Sequence, residues 1–311
     1  MARFARVSTI AFAGVEAGAN RLERLHDRMA QDLELAARAK PDLVTFPEFV
    51  NATGISIEQA VAEAETIPGP TTDRMAELAV KHSTYVVVPI PERDGDRVYN
   101  TAAFIDRDGQ IIGKYHKYQP TIGEMEAGIT PGSDAPAFDT DFGKVGAAIC
   151  FDMKFNEVGQ HLADSGARLV VFPSMFIGGD RMLHWARDYG FYLLSCCPAR
   201  SYLVDVAGRY LGETGWEINQ VSAGLLPPIY SGVINMDRML FHLDRNQNFF
   251  PDMLAKYGAG IEIEVHYPEA HFTLASVMED VTVEDLVREY DLEPWIAYLK
   301  RARGEREKYL A

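Results

Sequence analysis

Pro41-Asp-Leu-Val-Thr-Phe-Pro-Glu48 and Ala167-Arg-Leu-Val-Val-Phe-Pro-Ser174 are two versions of one pattern. Each is a short apolar run that reads as a buried strand, closed by Phe-Pro and then a polar residue. Similar elements precede both. Residues 6–12 read as a first strand, and Asn20 starts an amphipathic helix with Leu22, Leu25, Met29, Leu33 and Ala36 on one face, stopped by Pro41. In the second half, 144–150 is a strand and 156–165 a helical segment. Two β-α-β halves of this kind predict an α/β fold with a pseudo-twofold axis. Two sheets packed face to face, with helices outside, would bury both sets of strands.

The remaining elements extend that plan. Ser56 with Gln59 is a capping-box signature for a helix over 57–64, and a further helix covers 73–82. Strands 85–90, 98–105 and 110–117 are separated by Asp94-Gly95 and Asp108-Gly109, the turn chemistry of an antiparallel meander. Past residue 237 the character changes. A helix over 246–257, a strand over 262–266, a helix capped by Thr282 and Asp285 and a last helix over 292–309 are expected. The chain therefore divides into a main unit, 1–237, and an extension, 238–311, read as an oligomerisation arm or a lid. Glu262, Glu264 and His266 share one strand face; they read as a charged edge strand in preference to a metal site.

Composition bounds the function. The chain has 311 residues, 47% apolar and 24% charged, which suits a globular enzyme. A formal charge of −15 argues against a nucleic-acid partner. No apolar run approaches the roughly 18–20 residues needed to span a bilayer. The N-terminal residues turn directly into a strand pattern without a signal peptide's apolar segment. Three cysteines, two of them adjacent (Cys196 and Cys197), make no disulfide framework and favour a reducing cytoplasm.

Three residues suggest chemistry. Cys150 closes the run Lys144-Val-Gly-Ala-Ala-Ile-Cys150, at a strand end where reacting groups collect. Alone it reads as a small buried hydrophobe. Lys117 alone reads as a surface lysine, and Glu48 as a loop carboxylate. Together they are more. An ammonium favours a thiolate, and a carboxylate can take the thiol proton, pass it to a leaving amine and then activate water. His116, a rival base, adjoins Lys117 in one strand, so the two point to opposite faces.

At this point the chain resembles the nitrilase, or carbon–nitrogen hydrolase, superfamily, with its Glu-Lys-Cys triad. The matching elements are Phe46-Pro-Glu48-Phe, Tyr99-Asn100-Thr-Ala-Ala103, Gly113-Lys-Tyr-His-Lys117-Tyr-Gln-Pro120 and Gly146-Ala-Ala-Ile-Cys150-Phe-Asp-Met-Lys-Phe-Asn-Glu157. Gly166–Ser174 and His184-Trp185 extend the match, which spans about residues 5–237. The resemblance implies a four-layer αββα sandwich, followed here by the C-terminal extension. It also implies Cys150 as nucleophile, Glu48 as general base, Lys117 as oxyanion stabiliser and an assisting glutamate at Glu124, with Glu126 as the alternative. The Phe151 N–H is a candidate oxyanion donor.

The expected reaction is cofactor-independent and metal-free hydrolysis of a small linear amide or carbamoyl compound by at least a homodimer. Nitrile hydrolysis, acyl transfer and a catalytically silent binding role are the alternatives. Members that act on nitriles usually carry Trp-Glu after the cysteine, where this chain has Phe151-Asp152, which tilts the expectation towards amides. Asn156 stands where the family usually has proline, and the segment 185–192 departs from the family's Arg-Ala-x-Glu-Asn. Phe151, Met175, Phe176 and Trp185 are the expected pocket walls.

Overall fold

The structure is a computed structural model that describes residues 4–12, 14–16, 18–216 and 228–310. One six-stranded sheet is built from β1 (Phe4–Ile10), β2 (Leu43–Thr45), β3 (Tyr85–Asp94), β4 (Arg97–Ile105), β5 (Ile111–His116) and β12 (Ile229–Asn235), in the order β12-β1-β2-β3-β4-β5. The second contains β6 (Ala137–Thr140), β7 (Gly143–Ala147), β8 (Leu169–Pro173), β9 (Tyr192–Cys196), β10 (Ser201–Val204) and β11 (Tyr210–Thr214), in the order β6-β7-β8-β9-β10-β11. The echoed stretches supply β2 and β8, each third in its sheet. β1, β2 and β3 run parallel and are flanked by antiparallel neighbours. β7, β8 and β9 do the same. The pseudo-twofold relation is thus written in the strand order.

Parallel strands covered on both faces need continuous apolar sequence, and every residue of β2, β8 and β9 is buried. α1 (Arg21–Ala37) and α3 (Pro70–His82) cover the outer face of the first sheet, placing Leu25, Met29, Leu33 and Met75 against Val44 and Val86. Leu22, expected on the buried stripe of α1, is only partly covered. α5 (Asn156–Asp164) and α6 (Asp180–Tyr189) contribute Val158, Leu162 and Met182 to the core of the second sheet. The two sheets meet through Val7, Leu43 and Val87 on one side and Val145, Ala147 and Leu169 on the other. Thr9 Oγ1 donates across this seam to Ser195 O at 2.8 Å. The result is the four-layer αββα sandwich.

Two short helices lie in the loops: α2 (Ile57–Ala62), with the expected Ser56–Gln59 capping box, and α4 (Ile122–Glu126). The extension adds β13 (Met239–His242), α7 (Phe250–Tyr257), β14 (Ile261–His266), β15 (His271–Ser276), α8 (Val283–Tyr290) and α9 (Trp295–Lys308). Its strands form a separate sheet, β13-β15-β14, over a core that includes Phe241, Met253, Phe272, Leu274 and Leu286. The helix expected over 246–257 begins as a tight 3-10 turn, Arg245–Phe249, before α7.

The acidic face of β14 has a specific use. Glu264 pairs with Arg209, Nη2 to Oε2 at 2.8 Å, which docks the extension onto the main unit, while Glu262 pairs with Arg238 at the start of the extension itself. Arg168 to Glu284 at 2.7 Å and Trp295 Nε1 to Asp188 O at 3.0 Å add to the junction. Among the described residues no cluster of His, Cys, Asp and Glu could hold a metal ion, and no helix is long and apolar enough to cross a membrane.

Candidate active site

β5 ends at His116, and strand alternation sends its neighbours to opposite faces. The His116 ring stacks on Tyr99 at 3.9 Å and its Nε2 lies 2.9 Å from Glu92. Lys117 turns the other way, inward, with only 1% of its surface exposed. Its Nζ donates to Glu48 Oε1 at 2.8 Å and to Glu124 Oε2 at 2.7 Å. Glu48 follows β2, and Glu124 sits in the first turn of α4, where its Oε2 also accepts the Thr121 N–H at 2.7 Å. Glu126, the alternative to Glu124, is exposed to solvent.

Asn100, on β4, completes the cluster. Fully buried, it donates through Nδ2 to Glu48 Oε1 and to Glu124 Oε1, both at 2.8 Å. An ammonium and a neutral amide thus hold two buried carboxylates side by side, where their mutual repulsion would otherwise be severe. Asn100 lies in the Tyr99–Ala103 motif, but its part in the cluster is not evident from that motif. The available signal was an asparagine inside the largely apolar strand 98–105, since a buried amide needs partners.

The thiol is held differently from expectation. The strand expected over 144–150 stops at Ala147, and Cys150 begins a 3-10 turn, Cys150–Lys154, with φ 51°. This left-handed conformation is uncommon for a residue with a Cβ and clusters at functional sites. Asp152 closes the turn: its N–H donates to Ile149 O at 3.1 Å, and its Oδ2 accepts the Ile149 N–H at 2.8 Å. The Cys150 thiol faces the Met175 N–H and the Ser174 side chain, with Glu48 and Lys117 close enough to act on its charge. Met175 N–H also donates to Glu48 Oε2 at 3.1 Å.

Electrostatics set the resting protonation. Burial and then the Glu48 carboxylate push the Cys150 thiol up to about 12, against the opposing pull of Lys117, the Met175 amide and Ser174. Lys117 favours the thiolate, as expected, but it is shared between two carboxylates, and burial and the Glu48 charge act in the opposite direction. Burial also opposes the Lys117 charge, but Glu48 and Glu124 more than compensate and keep the ammonium protonated above its usual range. Glu124 is also buried, yet Lys117, Thr121 and Asn100 hold its carboxyl below the usual range. The arrangement can supply a neutral thiol, a carboxylate beside it and a fixed positive charge.

Of the expected walls, Met175 is 57% exposed, and Phe151 and Phe176 are half-buried. Phe151 packs edge-on against Phe155 at 5.2 Å, and Lys154 Nζ lies 5.3 Å from the centre of the Phe176 ring. Trp185 does not belong with them. It is 1% exposed, lies in the core under α6 and meets Tyr189 edge-on at 5.7 Å. The amphipathic period of α6 turns it inward, which the quoted motif alone did not reveal.

A buried Glu-Lys-Glu cluster beside a half-buried thiol, in an αββα sandwich, is the arrangement that the resemblance to the carbon–nitrogen hydrolases leads one to expect. The chain belongs to that family, the nitrilase superfamily: the carbon–nitrogen hydrolase model matches residues 9–230. It is 33% identical over 209 residues to human omega-amidase NIT2, a match covering 58% of this chain and 75% of that protein. To Saccharomyces cerevisiae omega-amidase NIT3 it is 31% identical over 237 residues, covering 65% and 81%. The crystal structure of S. cerevisiae Nit3 superposes with a TM-score of 0.64 at 25% identity, over 75% of this chain and 90% of that one. An amidase from Nesterenkonia sp. shares the fold, with a TM-score of 0.64 at 20% identity over 80% and 96%.

Proposed function

We propose that the protein hydrolyses the carbon–nitrogen bond of a small linear amide or carbamoyl compound through a thioester on Cys150. One observation carries this reading: Lys117 is bonded to both Glu48 and Glu124 at hydrogen-bond distance, beside the Cys150 thiol. The naming of relatives as omega-amidases supports an amide as the substrate.

The steps follow from the proton positions. The thiol rests protonated, so Glu48 takes its proton as sulfur attacks the amide carbon. The carbonyl oxygen gains the negative charge, which Lys117 and the Phe151 N–H stabilise. The tetrahedral species collapses by breaking the carbon–nitrogen bond, Glu48 returns the proton to nitrogen, and ammonia or an amine leaves a thioester. Water then gives its proton to Glu48 and attacks the thioester carbon, and the acid departs as the thiol is restored. Glu124 and Asn100 hold Lys117 and Glu48 in place throughout.

That no disulfide joins Cys150, Cys196 or Cys197 supports a cytoplasmic setting. The extension 238–311 is proposed as an assembly arm of a homo-oligomer in preference to a lid: its last helix, α9, lies on the outer helices, Trp295 bonding to Asp188 of α6 and Arg303 reaching Gln160 of α5. Ammonia release from paired amides and nitriles, by the native chain and by Cys150→Ala, tests the reading. Release from amides alone, abolished in the variant, is expected. Preferential release from nitriles would transfer the protein to the nitrilase reaction, and substantial turnover by Cys150→Ala would remove the thioester route.

A further inference from the structure

We infer that Asp152 is a positioning residue that sets the separation of Lys117 from Cys150 by bracing the two peptide segments that carry them. The inference rests on the thioester reading above. Asp152 is fully buried, although it belongs to a residue type that is seldom buried without partners. Its Oδ2 accepts the Tyr115 hydroxyl at 2.6 Å and the Ile149 N–H at 2.8 Å, and its Oδ1 accepts the Gln119 N–H at 2.7 Å. Tyr115 and Gln119 stand two residues before and two residues after Lys117. Ile149 immediately precedes Cys150. One carboxylate therefore pins both sides of the lysine segment to the turn that presents the thiol.

The brace is indirect. Asp152 is enclosed in the core and presents no surface to a substrate, so it fixes geometry from behind, whereas the neighbouring Phe151 is half-buried against Phe155. Tyr115 reinforces this by donating its hydroxyl to Asp152 and accepting the Tyr118 N–H at 3.2 Å, closing the loop around Lys117. A displacement of about 1 Å in a reacting group can cost on the order of 100-fold in rate.

Asp152 has a titration that separates positioning from mere support. Burial pushes its carboxyl up to about 6, against the lowering effects of Tyr115, the Ile149 and Gln119 amides and the Lys117 charge. Because the folded value lies above the unfolded one, this group favours folding most at low pH, and that contribution is lost as the pH rises through about 6. The brace, in contrast, needs the carboxylate. Activity and this part of stability therefore run in opposite directions with pH.

The test compares kcat, KM and the pH profile, per folded molecule, for the native chain, Asp152→Asn, Tyr115→Phe and Cys150→Ala. Asparagine turns a donor towards either Gln119 or the Tyr115–Ile149 pair, so Asp152→Asn should lower kcat by at least about 10-fold with KM within about 3-fold. Tyr115→Phe should lower kcat less and move the acid limb of the profile to higher pH, since it removes a bond that favours the carboxylate. Native kcat per folded Asp152→Asn, or an acid limb unmoved in Tyr115→Phe, overturns the brace. If Asp152→Asn does not fold, the Tyr115→Phe profile decides alone. A dead Cys150→Ala beside unaffected brace variants rejects only this inference, whereas an active Cys150→Ala rejects the thioester reading itself.

Discussion

Glu48 Oε2 accepts the backbone N–H of Met175 at 3.1 Å, and Met175 directly follows the second echoed stretch while Glu48 ends the first. The pseudo-twofold halves therefore converge on one point, and the thiol faces the same amide. A site built this way is held by both sheets at once, and rigid elements position reacting groups better than loops do.

Glu48→Gln separates the carboxylate's two effects. Turnover should fall by about 10²–10⁴-fold, because the proton acceptor is lost. The thiol should become more acidic, because the Glu48 charge is one of the causes that raise it. The pH dependence of iodoacetamide labelling of Cys150 reads this directly. The midpoint should move to lower pH while hydrolysis is nearly abolished.

Lys117→Met tests the buried charge cluster. Removing the cation leaves Glu48 and Glu124 buried and facing each other with only Asn100 between them. Breaking a buried pair in this way costs about 3–5 kcal/mol. Denaturant unfolding should show a loss of that size together with lost turnover. An unchanged midpoint would mean that the cluster contributes nothing to stability.

Asn100→Leu removes one donor from each glutamate and leaves Lys117 in place. A loss of about 1–3 kcal/mol is expected for the orphaned acceptors. Turnover should fall by more than ten-fold, since Glu48 is no longer fixed on both sides. Steady-state kinetics and thermal unfolding measured together distinguish this from simple destabilisation.

Glu124 sets an acid dependence of stability. Its folded carboxyl lies below the ordinary range, so its stabilising effect is complete above that range and is lost as the pH falls through the folded value. Glu124→Gln should be less stable than the native chain at pH 7 and should lose less on acidification towards pH 4, as read by urea unfolding at the two pH values.

Much of this was legible in the sequence because side-chain type carried the signal. The apolar runs 43–46 and 169–172 required strands buried on both faces, and their echo gave the two halves. Glu48, Lys117 and Cys150 stood out through their chemistry. The contribution of Met175 was hidden, because it acts through a backbone N–H that every residue but proline possesses. The bracing role of Asp152 was hidden too, since nothing in a sequence says that a carboxylate is enclosed and bonded to three donors. The strands Met239–His242 and His271–Ser276 were missed because each is short and no Asn-Gly or Asp-Gly pair stands in 238–311 to mark a hairpin turn.

The most direct measurement of the central claim is the intact mass of the protein, acid-quenched during turnover of a small linear amide, followed by peptide mapping. The account predicts an added mass equal to the acyl group, located on the peptide containing Cys150 and absent from Cys150→Ala. Ammonia release in step with turnover, but with no acyl adduct on Cys150 at any quench time and full activity in the Cys150→Ala chain, would contradict it.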